Sequence, residues 1–167
     1  MKIFLIGLPG SGKTTMGKQI AAALSLPFVD LDKEIERREG RLIREIFKDK
    51  TESYFRILET NELASWCDSD KSFVMATGGG APCFHGNMAM INKAGTSIFL
   101  DIPASEIARR IEKTNVEERP LLAAGGQHAL KDNIEALRSN RLSFYRQAML
   151  TFGPDATAAE VVAEIRK

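Results

Sequence analysis

The segment Gly7-Leu8-Pro9-Gly10-Ser11-Gly12-Lys13-Thr14 sets glycines, a lysine and a hydroxyl in the spacing G-x-x-x-x-G-K-[ST]. That spacing wraps a phosphate chain. Glycines let the backbone curl around the anion, and N–H groups at the start of a helix point inward at it. In such a loop Gly10, Ser11, Gly12 and Thr15 supply backbone and side-chain contacts. Lys13 reaches the outer phosphates, and Thr14 offers a hydroxyl to Mg²⁺. The alternative is an ordinary glycine-rich turn, which needs neither the lysine nor the hydroxyl.

Two carboxylates follow in Asp30-Leu31-Asp32. On an extended segment, side chains two apart face the same side. Both would then look into one cleft, where one could act on Mg²⁺ through water and the other could take a proton from an attacking hydroxyl. The bland alternative is that Asp32 caps a helix beginning at Lys33. Gly78-Gly79-Gly80 is a third candidate, because three glycines let a ligand approach the backbone closely. Just before it stands Ala76-Thr77, where a water-activating NTPase usually carries an acid, so the reading disfavours water as acceptor. Asn92-Lys93-Ala94-Gly95 lacks the aspartate of a guanine-reading N-K-x-D. Arg56 and Glu59 share one helix face, as a positioned pair or a plain surface ion pair. Arg119, in Arg119-Pro120-Leu121-Leu122, and Arg141 complete the set. Guanidinium forks suit carboxylates and phosphates, so arginines around one cleft would suit an anionic acceptor.

These residues need elements to carry them. Residues 2–6, 27–29, 73–76, 97–100 and 149–152 read as strands, and residues 14–24, 51–67, 103–112, 129–147 and 158–166 as helices. Alternation of this kind predicts an α/β fold with a parallel sheet covered on both faces and ligands at the carboxyl ends of the strands. Residues 33–62 form a helical excursion rich in both charge signs, and residues 113–128 a polar stretch with the character of a lid.

Bulk properties narrow the setting. The 167 residues fit one domain, and 44% hydrophobic with 27% charged residues is ordinary for a globular protein. A net charge of +1 marks neither a nucleic-acid nor a membrane partner. Cys67 and Cys83 form no C-x-x-C pair, and with no signal-peptide pattern at the start they lead us to expect a reduced cytoplasmic protein. His85 and His128 have no metal-ligand spacing and read as solvated or capping residues.

Taken in order, the pieces resemble shikimate kinases over nearly the whole chain: residues 7–14, Asp30-Leu31-Asp32, Phe55-Arg56 with Glu59, Gly78-Gly79-Gly80, Arg119-Pro120-Leu121-Leu122, and Arg141 ahead of Tyr145. The loop alone is common to many enzymes; the ordered set is far more specific. The resemblance implies one kinase domain over residues 1–167, a P-loop α/β/α sandwich with a five-stranded parallel sheet in the order 2-3-1-4-5. It implies a substrate-binding region about residues 33–61 and a lid about residues 113–127. The implied reaction moves the γ-phosphoryl of ATP to the 3-hydroxyl of shikimate, with Mg²⁺, in a monomer. The implied roles are catalysis for Asp32, Lys13 and Arg119; nucleotide contacts for Gly10 to Thr15, Arg110 and Arg119; substrate contacts for Asp32, Arg56, Gly78, Gly79, Gly80 and Arg141; and Mg²⁺ for Thr14 and, through water, Asp30. Two departures stand out: a slightly long lid carrying Glu117-Glu118, and a compressed loop about Gly153-Pro154-Asp155. The rival readings are a kinase for another small acceptor, such as gluconate or a nucleoside monophosphate, and a nucleotide-binding switch.

Overall fold

The computed structural model describes residues 1–113 and 126–167. Among them, five strands form one parallel sheet in the order β2-β3-β1-β4-β5. They are β1 (Lys2–Ile6), β2 (Phe28–Asp30), β3 (Phe73–Ala76), β4 (Thr96–Leu100) and β5 (Leu150–Phe152). The three inner strands are almost wholly buried, which explains their near-continuous apolar sequences. β2 and β5, at the edges, are short and only half-buried, so their sequence signal is weaker.

The helices are α1 (Lys13–Leu24), α2 (Leu31–Glu39), α3 (Ile43–Asp49), α4 (Glu52–Asp68), α5 (Asn87–Ala94), α6 (Ala104–Lys113), α7 (Gly126–Tyr145) and α8 (Ala158–Ile165). The charged excursion spans three helices, because Gly40 in a left-handed conformation ends α2 and Thr51 caps α4. α5 follows a short 3₁₀ turn, Ala81–Cys83. The strand-helix pattern did not single it out: its eight residues bury only Asn87, Met88 and Ile91, too few for a clear helical stripe. The expected lid, residues 113–127, falls outside the described residues apart from its ends, and Arg119 with it.

Sheet register lines up the active edge. Leu5 of β1 and Asp30 of β2 both pair with Ala76 of β3. One residue on, the Thr77 N–H and hydroxyl both donate to the Leu5 carbonyl at 3.1 Å. The exits of β1, β2 and β3 are therefore level, and each leads directly into a candidate motif. Beneath them the core runs from Phe4 and Phe73, edge to face at 5.5 Å, to Phe99 and Tyr145 at 5.2 Å.

Candidate active site

The phosphate loop leaves β1 and ends as the first turn of α1. Gly10 (φ 84°) and Gly12 (φ 95°) take backbone conformations that a side chain would strain. Gly12 caps α1 without a side-chain bond, so the helix's first N–H groups are left to an anion. The buried Ser11 hydroxyl has no hydrogen-bond partner, an orphan that a phosphate oxygen would satisfy. Lys13 is buried, and its Nζ donates to the Gly7 and Leu8 carbonyls at 2.8 Å each. A cavity of about 500 Å³ opens over this loop. Its lining includes Gly10 to Thr15, Arg110, Gly153 and Pro154. Arg110 reaches the loop itself, donating to the Ser11 carbonyl at 3.1 Å while Glu106 holds its Nε at 2.8 Å. The compressed carboxyl-terminal loop thus forms the far wall of the nucleotide-sized space.

Asp30 and Asp32 divide differently from the strand-based expectation. Asp30 ends β2 and caps α2: its Oδ1 accepts from the Asp32 and Lys33 N–H groups at 3.1 and 3.3 Å. Asp32 already lies in the first turn of α2, so it is neither the cap nor part of an extended D-x-D. It turns instead toward the triple glycine. Burial, then the neighbouring Asp30 charge, push its carboxyl up to about 6 against the lowering effect of Lys13.

Arg56 and Glu59 are not a surface pair. Both are buried, and Arg56 Nη1 donates to Glu59 Oε2 at 2.8 Å. Glu52 takes Arg56 Nη2 and Nε at 3.1 and 3.3 Å. Burial raises the Glu59 carboxyl to about 7, outweighing the attraction of Arg56. Burial works against the Arg56 charge, but Glu59 and Glu52 overcome it and raise its pKa. A guanidinium keeps its proton, so the proton that can move within this pair belongs to Glu59.

The three glycines are where these groups meet. A Cβ on Gly78 would lie 2.7 Å from Glu59 Oε1 and 2.9 Å from Asp32 Oδ1. One on Gly79 would lie 2.7 Å from the Pro9 ring and 3.1 Å from Arg141 Nη1. One on Gly80 would lie 2.5 Å from Arg56 Nη2. The segment is glycine because four functional side chains, those of Asp32, Arg56, Glu59 and Arg141, fill the space of its missing side chains. Phe47 and Phe55, 4.9 Å apart, stand on the neighbouring helices. Tyr145, fully buried on α7, donates its hydroxyl to the Gly79 carbonyl at 2.6 Å. In the sequence Tyr145 enters only through the motif that sets Arg141 ahead of it. Its spacing four along the helix placed both on one face, the signal that was available.

A phosphate loop, a half-buried carboxylate and an arginine-lined glycine turn at one sheet edge define a P-loop phosphotransferase: a kinase, with ATP as co-substrate, acting on a small molecule. The sequence model of the shikimate kinase family matches residues 9–167. A shikimate kinase of Bacteroides thetaiotaomicron is 39% identical over 93% of this chain and 87% of its own. The crystal structure of shikimate kinase from the same species superposes with a TM-score of 0.89 at 36% identity, covering 99% of this chain and 96% of that one. Shikimate kinase from Acinetobacter baumannii in complex with shikimate gives a TM-score of 0.84 at 32% identity, covering 98% and 88%. The chain belongs to the shikimate kinase family.

Proposed function

We propose that this chain transfers the γ-phosphoryl group of ATP to the 3-hydroxyl of shikimate, giving shikimate 3-phosphate and ADP. The observation that carries the reading is the convergence of Asp32, Glu59, Arg56 and Arg141 on Gly78–Gly80. Arg56 and Arg141 grip the acceptor's carboxylate, and the Gly79 and Gly80 backbone supports its ring. Asp32 takes the hydroxyl proton as the oxygen attacks phosphorus and the bond to the ADP oxygen breaks. The phosphate-loop N–H groups, Lys13 and Arg119 neutralise the developing charge. Arg110 contributes to the nucleotide side, and residues 33–61 and 113–127 serve as substrate region and lid of one kinase domain.

Mg²⁺ fits the oxygen donors at this sheet edge. Thr14 is exposed at the cavity, and Asp30 stands at the same sheet edge. Among the described residues no cluster of three or more His, Cys, Asp or Glu is present. Mg²⁺ needs no such cluster, since it takes oxygen ligands largely from phosphates and water. Bound there, the ion would offset charge on the transferring phosphates. Chelation with EDTA is expected to abolish turnover and added Mg²⁺ to restore it; turnover that persists in EDTA removes the ion from the reading. A monomer working in the cytoplasm belongs to the same proposal. Sedimentation tests the first, and no described helix is long and apolar enough to cross a membrane.

A coupled ADP-release assay with shikimate, gluconate and AMP tests the acceptor. Shikimate-dependent release alone supports the reading. Release only with another acceptor, or none with any, overturns it. Arg119→Ala is expected to lower kcat at least about tenfold while ATP binding changes little. A near-normal kcat in that variant ends the role of Arg119.

A further inference from the structure

Arg56 is expected to meet a carboxylate, yet its guanidinium is buried and already bonded to two carboxylates. Those bonds use one N–H each from Nε, Nη1 and Nη2. Of the five N–H groups of a guanidinium, one on Nη1 and one on Nη2 are left to donate to a further carboxylate. A guanidinium held this way needs a neighbour that covers it without taking those two donors. Phe84 is that neighbour. Its ring centroid lies 4.4 Å from Arg56 Cζ, with the Phe55 ring at 5.3 Å. An aromatic face attracts the cation and competes for no N–H.

The segment bearing Phe84 is built to hold one position. Ala81 N donates to the Gly78 carbonyl at 3.1 Å and Cys83 N to the Gly80 carbonyl at 2.9 Å, closing the 3₁₀ turn directly on the triple glycine. The wholly buried Asn87 donates its Nδ2 to the Ala81 carbonyl at 2.9 Å and its N–H to the Phe84 carbonyl at 2.9 Å. His85 (φ 50°) and Gly86 (φ 71°) are both left-handed, which reverses the chain into α5. A non-glycine residue at positive φ is uncommon and costs free energy, so the surrounding bonds must enforce it.

We infer that Phe84 is a positioning residue for the acceptor: its ring pins the Arg56 guanidinium against Gly80 so that the remaining N–H groups face the bound carboxylate. This inference rests on the proposed acceptor site. A contact of this kind, when desolvated, is worth a several-fold to about thirtyfold change in affinity. Phe84→Leu keeps an apolar side chain and removes the π face. It is expected to raise the KM for shikimate about tenfold, with kcat and the KM for ATP within about twofold of the parent. Phe84→Tyr, which keeps the π face, is expected to restore the parent KM. With Arg56→Lys as background, Phe84→Leu is expected to lose most of its effect on kcat/KM, because the planar group it orients is gone.

An unchanged KM in Phe84→Leu overturns the inference. So does a parallel loss in kcat and both KM values, or a full Phe84→Leu effect in the Arg56→Lys background, since each describes general packing. If Phe84→Leu does not fold, Phe84→Met takes its place in the same measurements. The two readings fail separately. A parent protein that does not phosphorylate shikimate removes the functional proposal. A parent that does, beside an unaffected Phe84→Leu, removes only this one.

Discussion

Asp32→Asn is expected to lower kcat by about 10²–10⁴, the range a positioned general base supplies, without lowering thermal stability. The first half follows from loss of the proton acceptor beside Gly78. The second follows from the raised carboxyl pKa of about 6. The ordinary value is 3.8, so the folded protein holds the Asp32 proton more tightly than the unfolded chain does. Asp32 therefore contributes stability below about pH 4 that is lost as pH rises through about 6. At neutral pH its ionised form is a cost, and the neutral amide relieves it. The variant should show a Tm at or above the parent's together with near-zero turnover, a trade of stability for function. In the parent, kcat/KM for shikimate should fall on acidification below about pH 6, as the base becomes protonated. That limb should flatten in Asp32→Asn. An unchanged acid limb, or a kcat within about threefold of the parent, ends the assignment.

Arg56→Ala should have the largest effect on acceptor binding and also a clear effect on stability. Losing charge-assisted bonds to a carboxylate costs about 1.5–3 kcal/mol per bond, so the KM for shikimate should rise about a hundredfold or more. ATP affinity should hold, since Arg56 does not line the cavity over the phosphate loop. Removing the guanidinium also leaves Glu59 buried without its partner. Breaking a buried pair costs about 3–5 kcal/mol, and for a chain of this size that lowers Tm by roughly 6–20 °C. The deficit carries a pH signature. Glu59 already titrates at about 7 in the parent because burial raises it, and without Arg56 it moves higher. A protonated, neutral Glu59 tolerates the loss better than an ionised one. The Tm difference between parent and variant should therefore be smaller at about pH 5.5 than at about pH 8. A deficit that grows on acidification contradicts a buried Glu59–Arg56 pair. An unchanged KM for shikimate contradicts the acceptor role of Arg56.

The acceptor side shows how charge, burial and backbone are coupled. Glu59 orients Arg56, and the same two groups occupy the space around Gly78 and Gly80. Tyr145 holds the Gly79 carbonyl, and the Tyr145 ring packs on Phe99 in the core. A strand end without side chains is thus fixed by groups from α2, α4 and α7. Its N–H groups acquire a defined direction even though glycine itself is the least restricted residue.

Much of this protein is set by chemistry that is local along the chain. The phosphate loop needs glycines at fixed offsets, a lysine and a hydroxyl, so eight consecutive residues contain it. The strands and most helices were legible for the same reason, because period and capping act over a few residues. The ordered set of motifs was specific enough to indicate the family and, with it, the sheet order that the structure shows. What depends on residues far apart was decided by the tertiary structure. Arg56 and Glu59 looked the same in sequence whether exposed or buried; packing of α4 over the triple glycine put them inside. Asp30 rather than Asp32 caps α2, because the helix begins one residue past the strand instead of after a linker. Phe84 carried no signal at all, for its ring meets Arg56 only after the turn from Ala81 to Asn87 closes on itself. Burial and partnership are sums over separate elements, and no window of sequence contains those sums.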